Sequence, residues 1–197
     1  MNTLKKIVLS LVVLVSMNTF AQEFDANLQI RPRYEFRNGY KAPIPFGETP
    51  GQFISERTRL NLNFKQDKFV TKLSMQNVRV WGDVQTTTKS DVNSIQLFEA
   101  WAQYNFNENW SARMGRQVIS YDNQRIFGEI DWLQQGQSHD AALVTYKNKK
   151  NQLDLGLAYN ANGETDLATN YTLNYKAMQY AWYHTELGKI NMSLLFL

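Results

Sequence analysis

The chain has 197 residues, of which 43% are hydrophobic and 13% aromatic, and its formal charge is +3. It contains no cysteine, which excludes disulfide bridges, thiol chemistry, cysteine-based metal sites and a lipidated cysteine at a mature N-terminus. Removing two lysines and no acid with residues 1–21 leaves +1 of the +3, so no global basicity argues for nucleic-acid binding.

Those residues carry Lys5 and Lys6, then the apolar run IVLSLVVLV, then small residues around Ala21. The pattern predicts a signal peptide cleaved before Gln22, because the run is too short and too soon polar for a membrane anchor. No later stretch is apolar for long enough to cross a membrane as a helix.

The mature segment opens with strict alternation. Phe24, Ala26, Leu28, Ile30, Pro32, Tyr34 and Phe36 alternate with Asp25, Asn27, Gln29, Arg31, Arg33, Glu35 and Arg37. This exceeds the roughly nine to eleven residues that a tilted strand needs to span a bilayer. Pro32 removes a ladder donor and predicts a sheet edge or a bulge.

A Pro- and Gly-rich loop is expected over 38–55, then a strand with Arg57, Arg59, Asn61 and Asn63 opposite Thr58, Leu60, Leu62 and Phe64. A tight turn at 65–68 leads to a third strand from Phe69, and 82–93 is a polar loop. The stretch from Ser94 to Gly128 starts as a hairpin. Phe98, Ala100, Ala102, Tyr104 and Phe106 lie opposite Glu99, Trp101, Gln103 and Asn105, and Trp110, Ala112 and Met114 resume after the turn at 107–109. Residues 121–137 read as a long loop, followed by strands on either side of 147–151, a medium loop at 161–168, a strand over 173–184 and a final strand after 185–189.

About nine strands result, with tight connections alternating with long ones. Short periplasmic turns and long external loops are the pattern of a bacterial transmembrane barrel. Aromatics near strand ends, including Phe64, Phe69, Phe106, Trp110 and Tyr146 on one side and Trp81, Tyr121 and Tyr159 on the other, predict two interfacial girdles. A soluble β-sandwich shares the alternation but not the strand length, loop asymmetry and girdles together. The expected fold is therefore all-β: an antiparallel transmembrane β-barrel occupying 22–197.

Alternation breaks twice. Carried through, it would put Asn77, Arg79 and Arg116 into lipid, where an arginine costs about 2–4 kcal/mol at mid-depth. Bulges near Gln76–Asn77 and at Gly115 are predicted to turn Arg79 and Arg116 inward and Val78, Val80, Ile119 and Tyr121 outward. The inward set then includes Arg31, Arg33, Arg57, Arg59, Lys72, Arg79, Arg113 and Arg116, with Asp25, Glu35 and Glu99 as the acids among them. Such a lumen suits anionic solutes. Two roles are open to each arginine: contact with solute, or bracing of the wall by internal salt bridges.

Catalytic signals are poor. Ser138-His139-Asp140 has triad residue types, but strand neighbours point to opposite faces. With two histidines and no cysteine, no metal centre or cofactor is expected, although Asp122, Asp131 and Asp140 surround one loop where Ca²⁺ is conceivable.

The segments ERTRLNLNF (56–64), VRVWGD (78–83), FEAWAQYNF (98–106), MGRQVISYDNQRIFG (114–128) and SHDAAL (138–143) resemble the alginate-export family of outer-membrane porins. That resemblance covers about 56–184. It implies a monomeric barrel of about eighteen strands, assembled by the barrel-insertion machinery and passing anionic polysaccharide through an arginine-rich constriction. It also implies Arg57, Arg59, Arg79, Arg116 and Arg125 as lining, with Asp122 and Asp140 as acidic partners. An odd strand number and a ninth strand stopping at Leu197 suggest that the sequence holds the first half of such a barrel. The partners expected are membrane lipid and a polar or anionic solute. An adhesion barrel acting through loops 38–55 and 121–137 is the alternative, and an outer-membrane enzyme is the weaker one.

Overall fold

The computed structural model describes residues 22–87, 90–167 and 170–197. The expected signal peptide lies outside them. Nine strands form one antiparallel sheet in sequence order: β1 (Gln22–Arg37), β2 (Gly51–Gln66), β3 (Phe69–Val80), β4 (Gln96–Asn105), β5 (Trp110–Gln117), β6 (His139–Lys147), β7 (Asn151–Tyr159), β8 (Ala177–Leu187) and β9 (Ile190–Phe196). The sheet is not closed, as expected of part of a barrel, and β1 and β9 are its edges.

Connections alternate as expected between tight turns and long loops. Their extents differ: the first loop ends at 50 rather than 55 because β2 starts at Gly51, the loop after β5 covers 118–138, and β8 starts at Ala177 rather than Leu173. β1 keeps unbroken register with β2 through Pro32, with no bulge; its edge position tolerates the missing N–H.

Directly paired residues share a face. Leu28↔Leu60, Leu60↔Met75 and Leu62↔Leu73 therefore belong to one face, with Ala102↔Met114, Val144↔Leu155 and Tyr183↔Leu194 continuing it. Phe24, Leu28, Ile30, Met114, Leu157 and Phe196 on this outer face are each exposed. A contiguous apolar surface of this kind is costly in water and suits lipid contact. Leu157→Arg should destabilise the folded state in lipid by about 2–4 kcal/mol. Denaturant titration of the protein in vesicles measures this, and an unchanged midpoint would show that Leu157 does not face lipid.

The predicted bulges need correction. β3 pairs β2 without interruption from Phe69 to Val80, so Arg79 lies opposite Glu56 and Asn77 opposite Thr58, all on the outer face. The one register shift in this region lies between Ser74 and Met75, where β4 carries the extra residue: Ser74 pairs Glu99 and Met75 pairs Leu97. Phe98 is absorbed there and turns inward beside Glu99. Gly115 does bend the chain, with φ +125, but Arg116 still pairs Ala100 on the outer face.

Val78 and Val80 pair Arg57 and Ser55 on the inner face, and Ile119 and Tyr121 turn into a buried cluster. All four were expected outward. Tyr121 accordingly is not part of an interfacial girdle.

Candidate functional site: an inner face crossed by one loop

The loop 118–138 folds back over the inner face instead of projecting from the rim. Its first half packs Ile119 and Phe127 against Ala141, Leu143, Ala158, Met178 and Tyr180 of β6–β8. Gly156 makes room for this packing: a Cβ there would sit 2.0 Å from the Tyr180 ring. Tyr121 stacks on Trp182, with centroids 4.5 Å apart, and donates to Asp154 Oδ2 at 2.9 Å. Burial, followed by the Asp154 carboxylate, pushes the Tyr121 hydroxyl far above its ordinary range, so it stays a donor.

The second half of the loop reaches β1 and β2. Arg31 and Arg57 are directly opposite each other, an unfavourable pairing of like charges. Asp131 lies between them, 3.1 Å from Arg31 Nη1 and 2.8 Å from Arg57 Nη1. Arg31 also donates to the carbonyls of Asp131 and Leu133, and Arg33 to that of Trp132. Gln134 donates to Ser55 O and Oγ and accepts from Arg31 Nε at 3.0 Å. Burial alone would raise the Asp131 carboxyl. The Arg57 hydrogen bond and the Arg57, Arg31 and Arg59 charges outweigh it and hold the carboxyl below the usual range.

Beneath the loop is a cavity of about 590 Å³, lined among others by Arg57, Arg59, Lys72, Arg113, Glu99 and Asp131. Arg59 lies 3.6 Å above the Phe98 ring and donates to Gln76, and Arg113 lies 4.1 Å above Trp101 and donates to Gln103. Lys72 pairs with Glu99. Arg59 and Arg113 are thus fixed by aromatic faces and amides rather than by carboxylates, whereas Arg57 and Lys72 are each paired with one.

The structure thus brings together Arg31, Arg33, Arg57, Arg59, Arg113 and Glu99 on one face. It separates the others. Arg79 pairs with Asp91 on the outer face, at the loop end of β3. Arg116 pairs with Asp140 at 2.9 Å, also on the outer face. Arg125 is exposed in the loop, and its side chain has no partner among the described residues. Asp122 accepts from Trp182 Nε1, not from an arginine. Asp122, Asp131 and Asp140 go to different partners and do not converge.

Alternation gives no hint of Asp131 and Gln134, since both lie in a loop. The one available signal was the run of amides and a lone acid, DWLQQGQ, in a segment too long for a simple connection.

Comparison with protein-family models matches the one described as alginate export, over residues 23–178. The chain belongs to the alginate export family. This is an outer-membrane family concerned with transport rather than catalysis, which accords with the exposed apolar face and the polar, loop-crossed one. Among curated proteins no match is found. In the alginate export family a polysaccharide passes through a channel in the outer membrane.

Proposed function

We propose that the inner face lines an outer-membrane channel for anionic or polar solutes, with uronic-acid polysaccharide such as alginate as the substrate class. The observation that carries this reading is the row Arg57, Arg59, Lys72 and Arg113 around the cavity beneath the loop, facing only Glu99, Glu129 and Asp131 as acids. Guanidinium groups pre-oriented over aromatic rings meet carboxylates with little ordering cost. Their number lets a carboxylate move from one to the next, as conduction requires. Residues 1–21 serve as the export signal, and N-terminal sequencing of the mature protein is expected to begin at Gln22.

Planar-bilayer recordings of the full-length protein test the reading. The expected result is anion-selective current that oligouronates block. Arg113→Glu should shift the reversal potential toward cation selectivity, since it replaces a positive group at the cavity by a negative one. A cation-selective or non-conducting protein would overturn the proposal. Adhesion is less well supported, because one of the two loops it would use is folded over the inner face.

A further inference from the structure

The wall is not of even height. β1 and β2 have 16 residues each, whereas β5 has 8 and β6 and β7 have 9. A strand tilted by about 40° climbs roughly 2.6 Å of bilayer per residue, so an apolar band of about 25 Å needs about ten residues. Charges on the outer face mark the same difference. On β2 and β3 the first ones beyond the tight turn are Glu56, eight residues from Phe64, and Arg79, ten from Phe69. Those are rises of about 21 and 26 Å. On β5 and β6 they are Arg116, six residues from Trp110, and Asp140, six from Tyr146. The rise there is only about 16 Å. Trp110 and Tyr146 themselves touch, with ring centroids 5.0 Å apart. The register that pairs Ala142 with Leu157 sets Tyr159 level with Asp140, and Tyr159 is 71% exposed.

The sheet also opens at that height. β4–β5 pairing stops at Ala100↔Arg116, while β3–β4 pairing continues to Gln76↔Gln96. Beyond Ala100 the edge of β4 that faces β5 has no strand partner among the described residues. Arg116 Nε donates to Leu97 O at 3.1 Å across the gap, and Val118 N donates to Glu99 Oε1 at 3.3 Å. The gap is a cavity of about 660 Å³ whose lining joins Leu97 and Arg116 of the outer face to Gln137 and Ser138 of the inner loop. An open sheet edge is not found facing hydrocarbon. Arg116 and Asp140 neutralise each other at 2.9 Å, and their side chains remain 39% and 62% exposed. Such a pair selects no ion, but it needs water or headgroups around it.

We propose that the leaflet at the long-loop end is thinned along β5–β7, so that lipid headgroups rather than acyl chains cover Arg116, Asp140 and Tyr159. Short strands, an exposed ion pair on the outer face and an open edge at one level all place the end of the hydrocarbon there. A bilayer adapts to a short wall by thinning, at a smaller cost than that of charges and unpaired backbone in hydrocarbon. Headgroup water then reaches the split and, through it, the long-loop end of the inner face. This goes beyond the channel reading and needs only that the outer face meets lipid.

The chain has no cysteine, so single cysteines can report depth along its wall. Thr58→Cys, Leu155→Cys and Tyr159→Cys variants of the full-length protein, each carrying an environment-sensitive fluorophore, are compared in vesicles of one lipid. The quenchers are iodide in the water and bromine at mid-chain in the lipid. Thr58 lies six residues from Phe64, as Tyr159 lies six from Leu153, so a wall of even depth would give both labels the same response. The expected result is bromine quenching without iodide quenching at Thr58 and Leu155, and at Tyr159 loss of the bromine effect with a gain of iodide quenching. A Tyr159 label that responds as the Thr58 label does overturns the thinning and spares the lipid-facing wall. Iodide quenching at Leu155 overturns lipid contact along β7, and the thinning with it.

Discussion

Replacing Asp131 with alanine should release the second half of the 118–138 loop, so that chymotrypsin cuts after Trp132 and Leu133 and single-channel conductance rises. The physical reason is the pair it separates. Arg57 is 1% exposed and faces Arg31 directly across the strand pair. Without Asp131 the two guanidiniums repel, and Arg57 keeps only Gln29 and the Gln134 carbonyl. Removing one partner of a fully buried ion pair costs about 3–5 kcal/mol. The Asp131 side chain is 48% exposed, so about 1–3 kcal/mol is expected here.

Acid should act in the same direction. Asp131 is held below its ordinary carboxyl value in the docked state, so docking is favoured above that ordinary value of about 4 and weakens as the pH falls through the lower, docked value. Proteolysis by an acid-active protease below about pH 4 should therefore reproduce the variant. A loop equally protected in the variant and the parent would show that the backbone contacts of Arg31 and Arg33 suffice without the carboxylate.

Gly115→Ala should be the most damaging single change in the wall. A Cβ there would lie 2.3 Å from Ala100 O and 2.8 Å from Trp101 Cα, both backbone atoms, and φ is +125. No rotamer relieves a backbone clash, and the dihedral is one that residues with a side chain avoid. The strand pair must separate or the residue must change conformation, and a loss of about 3 kcal/mol or more is expected. Heat-modifiable migration on gels reads out the folded barrel, and its fraction should fall sharply. Migration identical to the parent would mean that the β4–β5 pairing at Ala100 contributes nothing to the folded state.

The order of strands and the alternation of turns with loops were legible because a side-chain period of two and turn residues are local properties. Faces were legible where the period ran unbroken, as in β1 and in β2 from Arg57 to Phe64. The register faults were not. A clash of period with polarity in β3 shows that something must give, but the compensating residue was Phe98, on the neighbouring strand, which one strand's pattern cannot reveal. The premise that arginine avoids lipid was also applied without depth. Arg79 ends β3 beside Asp91, and Arg116 is clasped by Asp140 and Leu97 O where the sheet parts. Neither had to turn inward to keep its charge satisfied. Tyr121 was misread for a related reason: an aromatic residue near a strand end fits a membrane girdle as well as a buried stack, and only the path of the loop decides.

The ties from Asp131 and Gln134 to Arg31, Ser55 and Arg57 join parts of the chain about 75 to 100 positions apart. This bears on the order of assembly. The first hairpin cannot reach its final arrangement until the sixth strand has been made and the loop before it has crossed over. Contacts this remote in sequence form late and slowly. Once closed, they lock the first six strands into a single cooperative unit, so a nascent wall either waits open or commits as a block.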